Sequence, residues 1–362
     1  MLLQSVICGF TPPNLILFYF SAPCLPISRS RYIYGMSFSP LLIFLGGLVV
    51  ITIGAELLLR SASRLAALLG IQPIIIGLTV VAVGTSLPEL AVGVAAAAGG
   101  SGELAIANIA GTNIANILLI LGLSAAIRAL PLRQLSIRLD VPLMIATSVV
   151  LLIMAADGQL GKGDGTLLIL AAIGYFVLLV RITRREKTDI KQEYAEEYSP
   201  GVLFKRTGRW TTLLNLVMLA AGIGLTIYGA ELLVEGAVAI ARALGVGDAI
   251  IGLTIVALGT SAPELATTLV ATYKDDRDVA VGNLLGSCIA NILLILGVTC
   301  IASPSAIEVS REILLFDLPL AAAVAIACYP VFRSGQQVSR LEGIIFVTLY
   351  LIYIGVLVFI RA

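Results

Sequence analysis

A long sequence pattern occurs twice in this chain, within segments apolar enough to lie in a membrane. Residues 54–93 align without a gap with residues 229–268, and both copies contain the run GLTxVAxGTSxPEL. Glu89 and Glu264 are 175 residues apart, and so are Asn116 and Asn291 further along. The chain is therefore constrained to fold as two similar halves, each with a carboxylate and a proline inside an apolar, helix-length segment.

The composition indicates an integral membrane protein. Of the 362 residues, 59% are hydrophobic and 12% are charged, and the mean hydropathy is +1.04. A soluble domain is about 45–50% apolar and about 25% charged. The net charge of +1 gives no indication of a nucleic-acid partner. Roughly 20 apolar residues cross a bilayer, and we predict ten such spans, at residues 40–67, 73–97, 104–126, 139–156, 164–183, 211–243, 248–272, 279–301, 312–332 and 341–360.

The predicted spans divide into five per half, and this odd number sets the relative orientation of the halves. The second half must enter the membrane from the side opposite to the first, which is an inverted-topology repeat. We therefore predict an all-α membrane protein of ten transmembrane helices. Its parts are a peripheral or disordered N-terminal segment, a first five-helix repeat, a charged cytoplasmic linker and a second five-helix repeat, at residues 1–35, 36–183, 184–209 and 210–362.

Lysine and arginine are unevenly divided between the two sets of connections. Arg60, Arg64, Arg128, Lys274 and Arg277 lie on the same side as the basic linker, and fewer basic residues lie on the other side. Because cytoplasmic loops carry the excess of Lys and Arg, we predict both termini outside the cytoplasm, with the chain embedded in the lipid of a prokaryotic plasma membrane. Histidine, the usual proton carrier at neutral pH, is absent, and the five cysteines show no metal-binding or disulfide spacing.

Glu89 and Glu264 occupy the second and seventh predicted spans. A charged side chain at the centre of a bilayer costs at least about 2.5–3.5 kcal/mol, so it normally faces an interior cavity and has a partner. No lysine or arginine occurs in the second, third, seventh or eighth span. A bound cation is the partner that fits.

Pro88 and Pro263 lie one residue before these glutamates. Proline has no N–H, so the carbonyl four residues earlier, of Gly84 or Gly259, loses its helical hydrogen bond. We predict a helix broken near its middle, with backbone oxygens turned toward the cavity. The candidate ligands here are the carbonyls of Ala82, Thr85, Ala257 and Thr260 and the hydroxyls of Thr85, Ser86, Thr260 and Ser261.

The third and eighth spans carry a second pair of polar positions. Thr112 and Asn116 are four residues apart and share one helix face, and Ser287 and Asn291 repeat this pattern. Each half thus offers a carboxylate, hydroxyls, an amide oxygen and bare carbonyls, without a thiolate or an imidazole. Oxygen-only sites select hard cations, and several ligands around a flexible cavity suit calcium better than magnesium.

The runs GTSLPEL with GTNIAN, and GTSAPEL with GSCIAN, resemble the paired repeats of the calcium/cation antiporter superfamily. The likeness is closest to the prokaryotic sodium/calcium exchangers and extends from about residue 40 to the C-terminus. It implies ten helices, ion sites between the second, third, seventh and eighth, and a first and sixth helix that slide as a gating pair. It also implies exchange of calcium for sodium by alternating access, with no cofactor and no enzymatic reaction. The ion ligands that it implies are Ala82, Thr85, Ser86, Glu89, Thr112, Asn116, Ala257, Thr260, Ser261, Glu264, Ser287 and Asn291.

Asn291 stands where some members of the superfamily carry an aspartate. The pocket then has two formal charges, on Glu89 and Glu264, which balance one calcium ion or two sodium ions. Exchange against more than two sodium ions would leave the loaded site positive and would move charge across the membrane. The missing carboxylate also weakens a potassium-dependent interpretation.

Several of these residues also have structural interpretations. Glu89 and Glu264 could be a protonated structural pair, the hydroxyls could pack helices, and the asparagines could join helices. Glu56 and Glu231 are repeat-related too, and Arg60 follows Glu56 at the spacing of an ion pair. For these two glutamates a gating or structural role is favoured over ion binding.

Three functions other than sodium/calcium exchange are open. A proton/calcium antiporter would load protons on the two glutamates, and a passive cation channel would use a similar pathway without countertransport. The run GKGDG at residues 161–165 allows an intramembrane protease, but Asp164 lies at the edge of a span and lacks a second membrane aspartate. Asn108 and Asn283 are predicted to lie nearer the membrane edge and to be structural.

Overall fold

The computed structural model describes residues 40–69, 73–132, 134, 136–185, 209–244 and 257–361. The predicted N-terminal segment, residues 1–35, lies outside this part of the chain. Most of the predicted linker, at 184–209, and the beginning of the seventh predicted span, at 248–256, lie outside it as well. The part that is described is almost entirely helical.

Each half of the chain contributes a series of helices. Those of the first half are α1 (Pro40–Leu69), α2 (Gly77–Thr85, directly preceded by the short helix Pro73–Ile76), α3 (Leu87–Ala98), α4 (Gly102–Ile127), α5 (Ser136–Asp157) and α6 (Lys162–Arg185). Those of the second half are α7 (Arg209–Ala243), α8 (Ala257–Thr260), α9 (Ala262–Tyr273), α10 (Arg277–Ala302), α11 (Ile313–Arg333) and α12 (Arg340–Arg361).

These helices confirm a mostly helical membrane protein. Within the described residues, eight helices are long and apolar enough to cross a membrane. A ninth candidate consists of α2 and α3 together, which are bent by 50° where they join. The helices α8 and α9 coincide with the end of the seventh predicted span, whose beginning is not among the described residues.

Four two-residue strands interrupt the helical architecture, and the all-α prediction missed them. β1 (Leu130–Pro131) pairs antiparallel with β4 (Gln337–Val338). β2 (Gln159–Leu160) pairs antiparallel with β3 (Ile307–Glu308). Strands this short contain no run of alternating apolar and polar residues from which they could be predicted. Each of the two ribbons joins the first half of the chain to the second.

The helices α1 and α7 run antiparallel and touch along a row of glycines. A Cβ atom on Gly54 would lie 2.5 Å from the backbone nitrogen of Thr226, and one on Gly222 would lie 2.6 Å from that of Leu58. Small residues allow membrane helices to approach this closely. The glycines that contact the partner backbone recur at seven-residue intervals in both helices, at Gly47 and Gly54 in α1 and at Gly222, Gly229 and Gly236 in α7.

The apolar core separates this helix pair from the rest of the molecule. The largest cluster of buried side chains includes Leu121, Leu160 and Phe332 and contains no described residue of α1 or α7. Residues of α1 and α7 belong to two smaller clusters, such as the one that joins Leu58 and Leu219. The pair therefore forms a layer packed against the main core rather than part of it.

Charged contacts join α1 to the turn before α10. Glu56 forms an ion pair with Arg60, as their spacing predicts, and a second ion pair with Lys274 that the sequence did not indicate. Ser63 donates a hydrogen bond of 2.8 Å to Asp276. Burial raises the pKa of the Asp276 carboxyl, and the hydrogen bond from Ser63 opposes this shift.

This charged turn belongs to the second half, and the first half has no charged residues at the equivalent positions. The residues KDDR at 274–277 align with GGSG at 99–102. The repeat-related glutamate, Glu231, has one carboxylate oxygen that is buried without a hydrogen-bond partner in the described part of the chain. The two halves thus share a helix plan but differ in the polar contacts that hold it.

Candidate ion-binding site

Each half of the candidate site begins at a break in a helix. Ser86, between α2 and α3, has φ −85° and ψ 10°, and Ser261, between α8 and α9, has φ −85° and ψ 2°. Pro88 and Pro263 lie in the first turn of the helix that follows each break. Proline is tolerated there because the N–H groups of a first turn have no partner within the helix. The predicted breaks are therefore present beside both prolines.

The two breaks place both glutamates at helix N-termini inside the protein. Glu89 lies in the first turn of α3 and Glu264 in the first turn of α9. Both side chains are 0% exposed, and their charges are close enough to interact. Each helix N-terminus carries about half a positive charge, so the two together balance only about one of the two carboxylates. The buried polar residues that the structure describes include no lysine or arginine.

Hydroxyl groups of each half lie beside the carboxylate of the other half. Ser86 donates a hydrogen bond of 3.1 Å from Oγ to Oε1 of Glu264, and the Thr85 hydroxyl is a second neighbour of that carboxylate. Thr260, the repeat equivalent of Thr85, is the corresponding neighbour of Glu89. The two halves therefore build one shared pocket rather than two separate sites.

The helices α4 and α10 supply the second set of predicted ligands. Asn116 lies in a π-helical stretch at Ala115–Leu121, and Asn291 begins another at Asn291–Leu296. Short π-helical stretches are frequent at functional sites. All four predicted ligands on these helices, Thr112, Asn116, Ser287 and Asn291, are buried.

The Ala82 carbonyl is the point where α10 meets α2. It accepts a hydrogen bond of 3.4 Å from Ser287 Oγ and keeps its helical hydrogen bond of 3.1 Å from the Ser86 N–H. A carbonyl oxygen has two lone pairs, so the oxygen predicted as a ligand is shared with protein donors in this conformation. Its repeat equivalent, Ala257, begins α8.

Several polar atoms of the pocket lack a hydrogen bond of ordinary geometry to any residue that the structure describes. Buried polar groups almost always have a partner, so each exception needs an explanation. A cation coordinated by oxygen would supply the missing partner for the carboxylate, hydroxyl and amide oxygens. The unpaired atoms among the predicted ligands are both carboxylate oxygens of Glu89, Oε2 of Glu264, the hydroxyls of Thr112 and Ser261, both side-chain polar atoms of Asn116, and Oδ1 of Asn291.

Two asparagines that were not predicted as ligands lie next to this pocket. Asn283 is fully buried, and its Oδ1 accepts a hydrogen bond of 3.3 Å from Thr85 Oγ1. Asn113 Oδ1 accepts a hydrogen bond of 3.1 Å from Asn291 Nδ2. Asn283 therefore contacts a predicted ligand, while its predicted position nearer the membrane edge stays a prediction. Asn113 was missed because the prediction considered only the helix face that carries Thr112 and Asn116. Shortly after Asn113, α4 becomes π-helical, which changes the direction in which its side chains point.

Known proteins resemble this chain over most of its length. The family model described as sodium/calcium exchanger protein matches residues 39–181 and 214–359, which is most of the chain. The chain belongs to this family. The exchanger is 35% identical over 311 residues to the putative antiporter CaxA of Alkalimonas amylolytica, covering 85% of this chain and 95% of the relative. It is 30% identical over 349 residues to the sodium/calcium exchanger MaX1 of Methanosarcina acetivorans, covering 88% and 98%.

A solved structure of the sodium-calcium exchanger NCX_Mj has a similar fold. It superposes on this exchanger with a TM-score of 0.72 and 28% sequence identity, covering 87% of this chain and 97% of the other. These relatives are ion transporters rather than enzymes, so the protease interpretation of Asp164 is set aside. The Asp164 carboxylate instead accepts a hydrogen bond of 2.8 Å from the Gly161 N–H in the turn before α6.

Proposed function

We propose that this chain exchanges calcium for sodium across the plasma membrane by alternating access. Glu89 and Glu264 carry the proposal, because they are buried, lie within electrostatic reach of one another, and come from equivalent positions of the two halves. Two negative charges balance one calcium ion or two sodium ions. The two cations would therefore compete for the same oxygen atoms, and this competition couples their fluxes.

The proposed ligand set extends from these carboxylates to the neutral oxygens around them. Calcium takes 6–8 oxygen ligands at about 2.3–2.6 Å, more than two carboxylates supply. The hydroxyls beside each glutamate and the unpaired amide oxygens are available for the remainder. The proposed ligands are Ala82, Thr85, Ser86, Glu89, Thr112, Asn116, Ala257, Thr260, Ser261, Glu264, Ser287 and Asn291.

We also propose the finer architecture of two inverted five-helix repeats with ten transmembrane helices. Equivalent helices support it: α3 and α9 have bounds offset by the same 175 residues as the sequence repeat. The ribbons support it as well. The first strand of one half, β1, pairs with the second strand of the other half, β4, and β3 pairs with β2 in the same way. The separate layer of α1 and α7 is the natural moving part, because it shares little of the main core.

The proposed orientation places both termini outside the cytoplasm. An ion pair of 3.1 Å between Arg128 and Asp275 brings the turn after α4 and the turn before α10 to one face. Arg60 and Lys274 meet at Glu56 on that same face. The excess of positive charge supports the assignment of this face to the cytoplasm.

Flux measurements in vesicles of defined ion content test the proposal. The full-length chain is reconstituted into liposomes loaded with sodium, and uptake of radioactive calcium is followed after dilution into sodium-free buffer. A protonophore is present to remove any proton gradient. We expect calcium uptake that depends on internal sodium and disappears when choline replaces it. Uptake that ignores sodium and collapses with the proton gradient would contradict the proposal and indicate a proton/calcium antiporter.

A matched glutamate controls for the effect of losing a carboxylate. Glu103 lies in the first turn of α4 but is exposed, unlike Glu89 and Glu264. Glu103→Gln should therefore retain sodium-dependent uptake. Calcium flux in all variants without any stimulation by sodium on the opposite side would indicate a passive channel and would contradict exchange.

A further inference from the structure

A chain of hydrogen bonds fixes the orientation of one amide group in the pocket. Asn113 Nδ2 donates a hydrogen bond of 3.1 Å to the backbone carbonyl of Cys288. Asn291 Nδ2 donates a hydrogen bond of 3.1 Å to Asn113 Oδ1. All three residues are buried. These two hydrogen bonds link α10 to α4 and α4 back to α10, so they also join the two halves of the protein.

The chemistry of these groups allows only one arrangement. A backbone carbonyl can only accept a hydrogen bond, so Asn113 must direct its amino group at Cys288. The Oδ1 atom of Asn113 then faces Asn291. Because an amide oxygen can only accept a hydrogen bond, Asn291 must donate one from its own amino group. The oxygen of Asn291 is thereby turned away from Asn113, and it is buried without a hydrogen-bond partner in the described residues.

The repeat-related residues of the other half do not form this pair of hydrogen bonds in the described structure. Cys288 is the equivalent of Asn113, and Asn116 is the equivalent of Asn291, each 175 residues away. The thiol of Cys288 lies beside the Asn116 amide, but a thiol is only a weak donor and acceptor. Among the described residues, both polar atoms of the Asn116 side chain remain without a hydrogen bond of ordinary geometry. Only one of the two amides is therefore held.

We propose that Asn113 is a positioning residue that turns the amide oxygen of Asn291 toward the transported cation. A free amide can rotate and present its amino group, which repels a cation, whereas the held amide presents oxygen only. The pocket would then contain one pre-oriented amide ligand, Asn291, and one adaptable amide ligand, Asn116. This inference rests on the proposed function, since it assigns a role in cation binding to a residue outside the ligand set.

Calcium titration of the purified full-length protein by calorimetry tests the role of Asn113. Asn113→Leu keeps the branched shape and the number of side-chain heavy atoms and removes both hydrogen bonds. We expect its dissociation constant for calcium to rise about tenfold, because partners that orient a metal ligand typically contribute 10–100-fold to affinity. The maximal exchange rate should change less than about twofold, since the proposed ligands are all still present. Cys288→Ala, the matched variant of the other half, should bind calcium within about twofold of the original chain.

A double-mutant cycle separates positioning from a merely structural role. In an Asn291→Asp background, the carboxylate presents oxygen in either orientation, so Asn113→Leu should cost less than about threefold in calcium affinity. Cys288→Asn provides a second variant, in which the Asn116 amide gains an anchor and calcium binds more tightly.

The possible results discriminate between this inference and the proposed function. An equal loss of affinity with and without the Asn291→Asp substitution would overturn the positioning role. Unchanged calcium affinity in Asn113→Leu would overturn it too, and would leave the proposed function standing. An original chain that binds no calcium would overturn both. If Asn113→Leu fails to fold, an unchanged calcium affinity in Cys288→Asn decides against the inference.

Discussion

The two halves of the pocket have nearly the same residues but different hydrogen bonds. On the α2 side, Ser86 donates a hydrogen bond to Glu264, and the Ala82 carbonyl accepts one from Ser287. On the α8 side, the Ser261 hydroxyl and both Glu89 oxygens lack hydrogen bonds of ordinary geometry in the described part of the chain. This asymmetry is consistent with the proposed alternating access, in which one repeat moves against the other around a shared site.

Other features of the two halves remain symmetric. Gly47 and Gly54 of α1 are repeat-related to Gly222 and Gly229 of α7, and Gly54 and Gly229 contact backbone in the same way. Both helix breaks have nearly the same dihedral angles at Ser86 and Ser261. The comparison therefore indicates that helix packing follows the repeat, whereas the hydrogen bonds of the pocket differ between the halves.

The largest effect is expected where the two halves are chemically equivalent. Glu89→Gln and Glu264→Gln should each lower sodium-dependent calcium flux at least about 100-fold, because either change removes one of the two charges proposed to balance calcium in a poorly solvated site. The measurement is radioactive calcium uptake by equal amounts of reconstituted protein, with Glu103→Gln alongside. Flux at the original rate in either variant would remove that glutamate from the site.

Substitution of the packed glycines should be equally costly in both halves. Gly54→Ala and Gly229→Ala each place a methyl group against backbone, and overpacking typically costs about 1–3 kcal/mol in the free energy of unfolding. Gly46 and Gly224 lie on the same helices with nothing within 4 Å of the added atom, so their alanine variants serve as controls. Thermal unfolding in detergent measures the difference. A large loss of stability in only one of the two variants would contradict the equivalent packing of Gly54 and Gly229.

A smaller effect should distinguish the two glutamates in the absence of calcium. Glu264 has one hydrogen-bond donor in Ser86, whereas Glu89 has none of ordinary geometry. Replacing the less stabilised of two buried carboxylates with an amide removes a larger penalty, so at pH 8 without calcium Glu89→Gln should stabilise the protein more than Glu264→Gln. We expect a difference of about 1 kcal/mol, the net contribution of one hydrogen bond. Equal melting temperatures for both variants would argue that the asymmetry is not maintained in solution.

The smallest effect concerns the charged turn that occurs in only one half. Glu56→Gln should lower the free energy of unfolding by less than about 1 kcal/mol, since partly exposed ion pairs contribute about that much at most. High salt should reduce the difference. Glu231→Gln, its repeat equivalent, should not destabilise the protein. A larger loss for Glu231→Gln than for Glu56→Gln would contradict the contacts described for the two halves.

Much of the fold could be predicted because it depends on patterns that one chain carries. Apolar length predicts the spans, the constant offset predicts two related halves, and Pro88 and Pro263 predict the helix breaks. The short ribbons could not be predicted, because a two-residue strand has no period. The ion pair between Glu56 and Lys274 could not be predicted either, since it joins residues 218 positions apart.

The candidate site shows the same limit. The spacing of Thr112 with Asn116 and of Ser287 with Asn291 correctly places these residues on buried faces of α4 and α10. The roles of Asn113 and Asn283 depend on which helix lies opposite them, and a π-helical stretch changes the face that a residue presents. Periodicity within one helix contains neither kind of information.

The position of a bound ion tests the central claim most directly. Strontium can replace calcium as a hard divalent cation with oxygen ligands, and it scatters X-rays anomalously. A crystal of the full-length chain soaked with strontium should show an anomalous peak between Glu89 and Glu264, within about 2.6 Å of oxygens from both side chains. The peak should disappear when sodium is added in excess. A strontium peak elsewhere, with these two carboxylates bonded only to protein, would contradict the account.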